Sequence, residues 1–252
     1  MIQIVGSVFI GTTYEQNDDR ALINDYILYE NEYEIECETD IAVIVCDGVG
    51  GNEHGGYAAE LVVSEFSGFW QEPFNEEVLV KYIENANSNV ITSQKESLEY
   101  RKMATTIAGV KTNGDACMVF NIGDSRVYRY RKGYVAQLTH DHSAVQEMLD
   151  FGMIDSVEAS NSAQRNIITK SIGSSFIKPF VKIIDTGFVA DDVLIVCTDG
   201  LSDFLNEEDI EIILKNGNKQ QSLQQCCRDM VELAIEKGSN DNISVILIKR
   251  MV

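Results

Sequence analysis

The feature that most constrains this chain is a series of short apolar runs rich in β-branched residues, each bounded by turn residues: 41–46, 116–122, 127–130, 180–184, 193–197 and 243–248. All are of strand length, and none approaches the ~20 apolar residues that span a bilayer. Asn113-Gly114-Asp115 and Arg131-Lys132-Gly133 join neighbouring runs as hairpin turns, so antiparallel pairing is expected. Helical faces lie between the runs. One carries Ala58, Leu61, Val62, Phe66 and Phe69; a second carries Val78, Leu79, Tyr82, Ile83 and Ala86 behind the acidic pair Glu76-Glu77. A third, with Leu223, Cys226, Cys227, Met230, Val231 and Ala234, stops at Lys237-Gly238. A further helix is predicted from Ser143, with Ser143-x-x-Gln146 as a capping box, to about Gly152. Grouped strands and paired helices make the chain α+β, read as one domain over 1–252. The stretch 141–178 is polar and irregular, as a lid or flap would be.

Charge narrows the function classes. With 40 acidic against 20 basic residues, the formal charge of -20 repels nucleic-acid backbones and anionic membranes. Of the six cysteines, Cys46, Cys117 and Cys197 sit inside apolar runs, and no C-x-x-C pair exists, so neither a disulfide framework nor a zinc site is expected. The start of the chain, 1–13, lacks a basic segment and reads as a strand rather than a signal peptide. A reducing cytoplasm is the expected compartment.

The chemistry lies in where the aspartates fall. Asp47 follows the run 41–46 directly, Asp124 follows 116–122 after one glycine, and Asp199 follows 193–197 after one threonine. Asp241 stands just before 243–248, and Asp18-Asp19 just before 21–29. Any one of these is ordinary turn chemistry. Together they are strand-end carboxylates able to converge on one rim, and clustered anions repel unless a cation sits among them. Arg20 and Arg126 are the basic residues nearby in sequence, so a bound metal is the simpler counter-charge. Oxygen-only ligands suit Mg²⁺, Mn²⁺ or Ca²⁺, whereas zinc brings histidine or cysteine. Hard ions on carboxylates are the apparatus of phosphoryl chemistry. No C-x5-R, G-x-S-x-G or G-x4-G-K-S/T loop is present.

A series of blocks follows one order: Asn17-Asp18-Asp19, Val45-Cys46-Asp47-Gly48-Val49-Gly50-Gly51, Ala104-Thr105-Thr106, Asn121-Ile122-Gly123-Asp124-Ser125-Arg126, Leu138-Thr139-His140-Asp141-His142-Ser143, Cys197-Thr198-Asp199-Gly200-Leu201-Ser202-Asp203 and Asn240-Asp241-Asn242. In this the chain resembles the bacterial-type members of the type-2C metal-dependent protein serine/threonine phosphatases. The resemblance implies a central antiparallel β-sandwich flanked by helix pairs on both faces, in four layers, with a flap at about 141–178. It implies a Mn²⁺- or Mg²⁺-dependent enzyme with two ions and a third, weaker site. Asp47 would bridge two metals, with the Gly48 carbonyl on one of them; Asp199 and Asp241 would complete one site, and Asp19 would support the other through water. Asp124 would join Asp199 at the third. A metal-bridging hydroxide would attack phosphorus in line, without a covalent intermediate. Phosphorylated proteins as substrates and a cognate kinase as partner follow from the same resemblance, and a monomer is expected.

Two positions depart from the pattern. Where the family places a phosphate-gripping arginine, five residues before the first metal aspartate, this chain has Tyr14. A tyrosine cannot offer a bidentate, charge-assisted fork, so weaker phosphate binding is expected. Val49 stands where eukaryotic members carry a general-acid histidine, which leaves leaving-group protonation to water or another group. Thr105 and Thr106 read as braces, Arg126 as the partner of a structural carboxylate, His140 and His142 as the base of the flap, and His54 as a loop residue. Asp203 reads as a repeat of the Asp199 pattern or as polar surface before a helix, and Cys226-Cys227 as core. Tyr14 keeps a second reading open, a pseudophosphatase that binds partners without hydrolysis. A calcium-binding structural domain lacks the D-x-D/N-x-D/N-G loop it would need.

Overall fold

Two of the apolar runs, β5 (Ala42–Cys46) and β13 (Val193–Cys197), are buried along their whole length. Unbroken burial marks strands covered on both faces, and each lies inside its own sheet. The first sheet is ordered β11 (Tyr134–Gln137), β10 (Arg126–Arg131), β13, β14 (Ile243–Arg250), β1 (Ile2–Phe9) and β4 (Glu32–Cys37). The second is ordered β12 (Phe180–Ile183), β9 (Ala116–Ile122), β8 (Ile107–Asn113), β5, β2 (Arg20–Ile23) and β3 (Tyr26–Leu28). Every pairing in both is antiparallel. A small third sheet pairs β6 (Gly48–Val49) with β7 (Ala104–Thr105). The computed structural model describes every residue except 14, 50–53, 161, 163, 221 and 252, and only the backbone at 156, 160 and 218–220.

The inner faces of the two large sheets share one apolar core that includes Ile4, Val43, Val119, Val196 and Ile246. Outside the second sheet, Ile44 and Phe120 pack against Val62, Phe66, Ile83 and Val90 from α1 (Gly55–Glu65) and α2 (Glu76–Glu96) and the turn between them. Outside the first, Val5, Ile195 and Leu247 pack against Ile210, Cys227 and Met230. These come from α6 (Glu207–Gln220) and α7 (Leu223–Glu236), beside the single turn α5 (Asp199–Ser202). The result is the four-layer α-β-β-α sandwich. Within 141–178 lie two short helices, α3 (Ala144–Asp150) and α4 (Ser156–Ser160). Among the described residues no helix is long and apolar enough to cross a membrane.

Some local expectations are revised. The first helical face ends earlier than its apolar spacing suggests, because Gly68 takes a left-handed φ of 83° and turns the chain. Phe66 and Phe69 still reach the core from that turn, with ring centroids 5.2 Å apart. At α3 only half of the capping box forms. Ser143 Oγ accepts from the Gln146 amide at 3.3 Å, but the Gln146 side chain donates forward to Asp150 at 2.9 Å.

Candidate active site

Strand register brings the aspartates to one rim. In the second sheet Arg20 lies opposite Cys46, Val45 opposite Ala108, and Ile107 opposite Ile122, so the ends leading to Asp19, Asp47 and Asp124 are neighbours. In the first sheet Cys197 lies opposite Val245, which sets Asp199 beside the entry to β14 and Asp241. The site thus straddles the seam between the sheets.

The electrostatics report this convergence. The Asp47 carboxyl is held well above the usual carboxylate range, by burial first and then by the negative charges of Asp199, Asp19, Asp124 and Asp241. Asp199 is raised in the same way, by burial and by Asp124, Asp241, Asp203 and Asp19. Burial pushes Asp19 up to about 7 against the pull of its two hydroxyl partners. Asp124 also rises to about 7, through burial and then Asp141. Asp241 sits on the exposed rim, raised by partial desolvation and by Asp18.

Each ligand candidate has its own support. Asp19 Oδ2 accepts from Thr198 Oγ1 at 2.8 Å and Ser244 Oγ at 2.7 Å, tying it to the first sheet. The Asp47 peptide is gripped on both sides. Its N–H donates to Thr106 Oγ1 at 3.0 Å, and its carbonyl accepts from Thr105 Oγ1 and the Thr106 amide, each at 2.8 Å. Thr105 and Thr106 are therefore braces, as expected. Gly48 lies so close to the start of α1 that a Cβ on it would stand 2.2 Å from the Gly55 carbonyl carbon. Asn242 Oδ1 accepts from the Asp18 amide at 2.8 Å and its Nδ2 donates to the Ile10 carbonyl at 2.7 Å, fixing the loop that carries Asp19.

Two cavities open beside this rim. One of about 140 Å³ is lined by Asp199, Asp203, Asp241 and Arg165 among others. A second of about 250 Å³ is lined by Asp124, Arg126, Asp141, Ser202, Asp203 and Arg165 among others. Asp203 and Arg165 belong to both walls and face each other at 3.8 Å. Asp203, half-buried, thus lines both cavities. Arg126 pairs with Asp141 at 2.6 Å, and His142 Nδ1 accepts from the Gly123 amide at 3.3 Å. His140 meets Asp150 at 2.8 Å, and His54 stands edge-on to Tyr100 at 4.7 Å. Tyr14, with its bearing on phosphate binding, lies outside the described residues.

The residues present fit a hard divalent ion. Asp124 Oδ1 and Ser202 Oγ are buried with no hydrogen-bond partner, and both residues line the larger cavity. Clustered carboxylates that raise one another's proton affinity are the donor set such ions neutralise. Among the described residues no three His, Cys, Asp or Glu side chains close into a metal cage.

Residues 19–233 match the family described as Protein phosphatase 2C. The serine/threonine phosphatase stp of Listeria welshimeri is 32% identical over 215 residues, covering 82% of this chain and 84% of that one. The Streptococcus agalactiae serine/threonine phosphatase superposes with a TM-score of 0.84 at 29% identity, covering 99% of both chains. The catalytic domain of the phosphatase PstP, solved in complex with two manganese ions, shares the fold at a TM-score of 0.81 and 22% identity, over 100% of each chain. Fold, strand-end aspartates and family match define one class. This chain belongs to the protein phosphatase 2C family.

Proposed function

We propose that this chain removes phosphate from phosphoserine and phosphothreonine in proteins, using two Mn²⁺ or Mg²⁺ ions held at the seam and a third at a weaker site. One observation carries the proposal: strand register draws carboxylates from separate strand ends to one rim, where burial and mutual charge raise their proton affinity. Asp47, Asp199, Asp241 and the Gly48 carbonyl would hold the paired ions, Asp19 would act through water, and Asp124 would join Asp199 at the third. Held there, the ions would supply Lewis-acid activation of a water and neutralisation of charge on the phosphate. The chain's own part is to hold the donors. Thr198 and Ser244 orient Asp19, Thr105 and Thr106 fix the Asp47 peptide, and Arg165 meets Asp203 at the cleft wall.

A covalent cysteine route has no support. Cys46 and Cys197 adjoin Asp47 and Thr198, yet burial holds the Cys46 thiol well above its usual range and pushes Cys197 up to about 12. The test is Mn²⁺-dependent release of phosphate from a phosphothreonine peptide. Asp47→Asn and Asp199→Asn are each expected to cut kcat by more than a hundredfold. Mn²⁺ binding by calorimetry with no turnover would instead favour a partner-binding module. If Tyr14 weakens phosphate binding, Tyr14→Arg lowers KM; an unchanged KM would count against that role.

A further inference from the structure

The small sheet behind Asp47 is too short to stand alone. β6 and β7 are two residues each, and Gly48 pairs with Thr105; even full two-stranded hairpins are marginal in water. A single backbone bridge to it comes from the far end of the 141–178 excursion. Ile172, fully buried, exchanges backbone hydrogen bonds with Thr105 at 2.8 and 3.1 Å. The same stretch is anchored upstream, where the Thr169 amide donates to the His142 carbonyl at 2.8 Å and the His142 amide donates to the Gly123 carbonyl at 2.9 Å. Residues 168–174 therefore run from the neighbour of Asp124 to the neighbour of Asp47.

What holds that stretch down is helix α2. Asn87 lies on the helix's buried stripe, between Ile83 and Val90, where a polar side chain must find partners. Both ends of its amide are used on one dipeptide. Oδ1 accepts from the Gly173 amide at 2.7 Å, and Nδ2 donates to the Ser174 carbonyl at 3.2 Å. Two turns on, Gln94 Nε2 donates to the Gly173 carbonyl at 2.9 Å and to the Met103 carbonyl, just before β7, at 2.8 Å. Gly173 makes the fit possible. Its φ is +102°, and a Cβ there would stand 2.9 Å from Gln94 Nε2 and 3.0 Å from Val90 Cγ1.

We propose that Asn87 and Gln94 are positioning residues for the carboxylate cleft: by clamping 172–174 they set Thr105, and through it the Asp47–Gly48 turn, relative to Asp124. Neither touches a carboxylate of the site. The inference rests on the metal-binding reading above only in its second readout. In protein without added metal, Asn87→Ala is expected to speed amide hydrogen exchange at Thr105 and Thr106 by about tenfold, while residues 245–248 of β14 keep wild-type protection. Calorimetry is expected to show Mn²⁺ binding weakened by about fivefold or more, the effect of loosening supports behind metal ligands. Asn85→Ala is the control. It sits on the same helix, on an exposed bond to Glu65 at 3.0 Å, and is expected to change neither. Should Asn87→Ala fail to fold, Gln94→Ala leaves Asn87 in place and reads the same amides. Exchange at Thr105 and Thr106 no faster than in Asn85→Ala overturns the clamp. So does faster exchange with Mn²⁺ affinity unchanged. Neither readout needs turnover, so a protein inert toward phosphopeptides would end the phosphatase reading and leave this one standing. If the wild type bound no Mn²⁺, the exchange rates alone would decide.

Discussion

Asp19 and Asp124 are buried carboxyls whose proton affinity has moved to about 7 from an ordinary 3.8, desolvation being the main cause in both. The sign of the consequence follows from linkage. Between about pH 4 and 7 the folded chain holds protons that the unfolded chain has released, so rising pH through that window favours unfolding. Without divalent ions the protein is expected to melt at a higher temperature at pH 5.5 than at pH 8. Asp124→Asn, which removes one buried charge, is expected to raise the metal-free Tm at pH 8 by about 2–4 °C, the effect of ~1 kcal/mol in a chain of this size. Thermal melts in chelator at the two pH values test both; stability that climbs from pH 5.5 to 8 would refute the reading. The positions of these aspartates were legible in the sequence because each abuts an apolar run. Their supports were not. Thr198, Ser244 and Asn242 look like any polar residue near a strand end until register sets them against Asp18 and Asp19.

At the scale of elements, long apolar or periodic segments read true, and segments governed by polarity did not. β4 escaped notice because Glu32, Glu34 and Glu36 alternate with half-buried residues on an edge strand, where charge guards against further pairing. Asn87 left a signal that pattern reading can use: a polar residue in phase with Ile83, Ala86 and Val90. Lys111 left another, a cation inside the central strand β8. It is 1% exposed, donates from Nζ to the Phe69 carbonyl at 2.5 Å and lies 4.5 Å over the Phe69 ring. Burial lowers its pKa to about 8 from 10.5. From pH 8 to 10.5 the folded chain sheds a proton that the unfolded chain keeps, so this residue's contribution to stability rises with pH. The urea-midpoint difference between Lys111→Met and wild type is therefore expected to shift toward wild type from pH 7.5 to pH 10. A difference that stays constant would show that Lys111 keeps its proton.

At the scale of the molecule, register is what turns scattered acids into a site, and register is set by whole sheets rather than by any local stretch. That is why convergence could be expected from the strand-end pattern, while the cavities walled by Asp203 and Arg165 emerged only with the fold. The seam has a mechanical meaning as well. Asp47 and Asp124 hang from one sheet, Asp199 and Asp241 from the other, and between the sheets lies a largely apolar interior. An ion gripped from both sides would act as a rivet through the two slabs. Loading the cleft would then stiffen the molecule in the same act that arms it, and emptying it would loosen the slabs at that edge first.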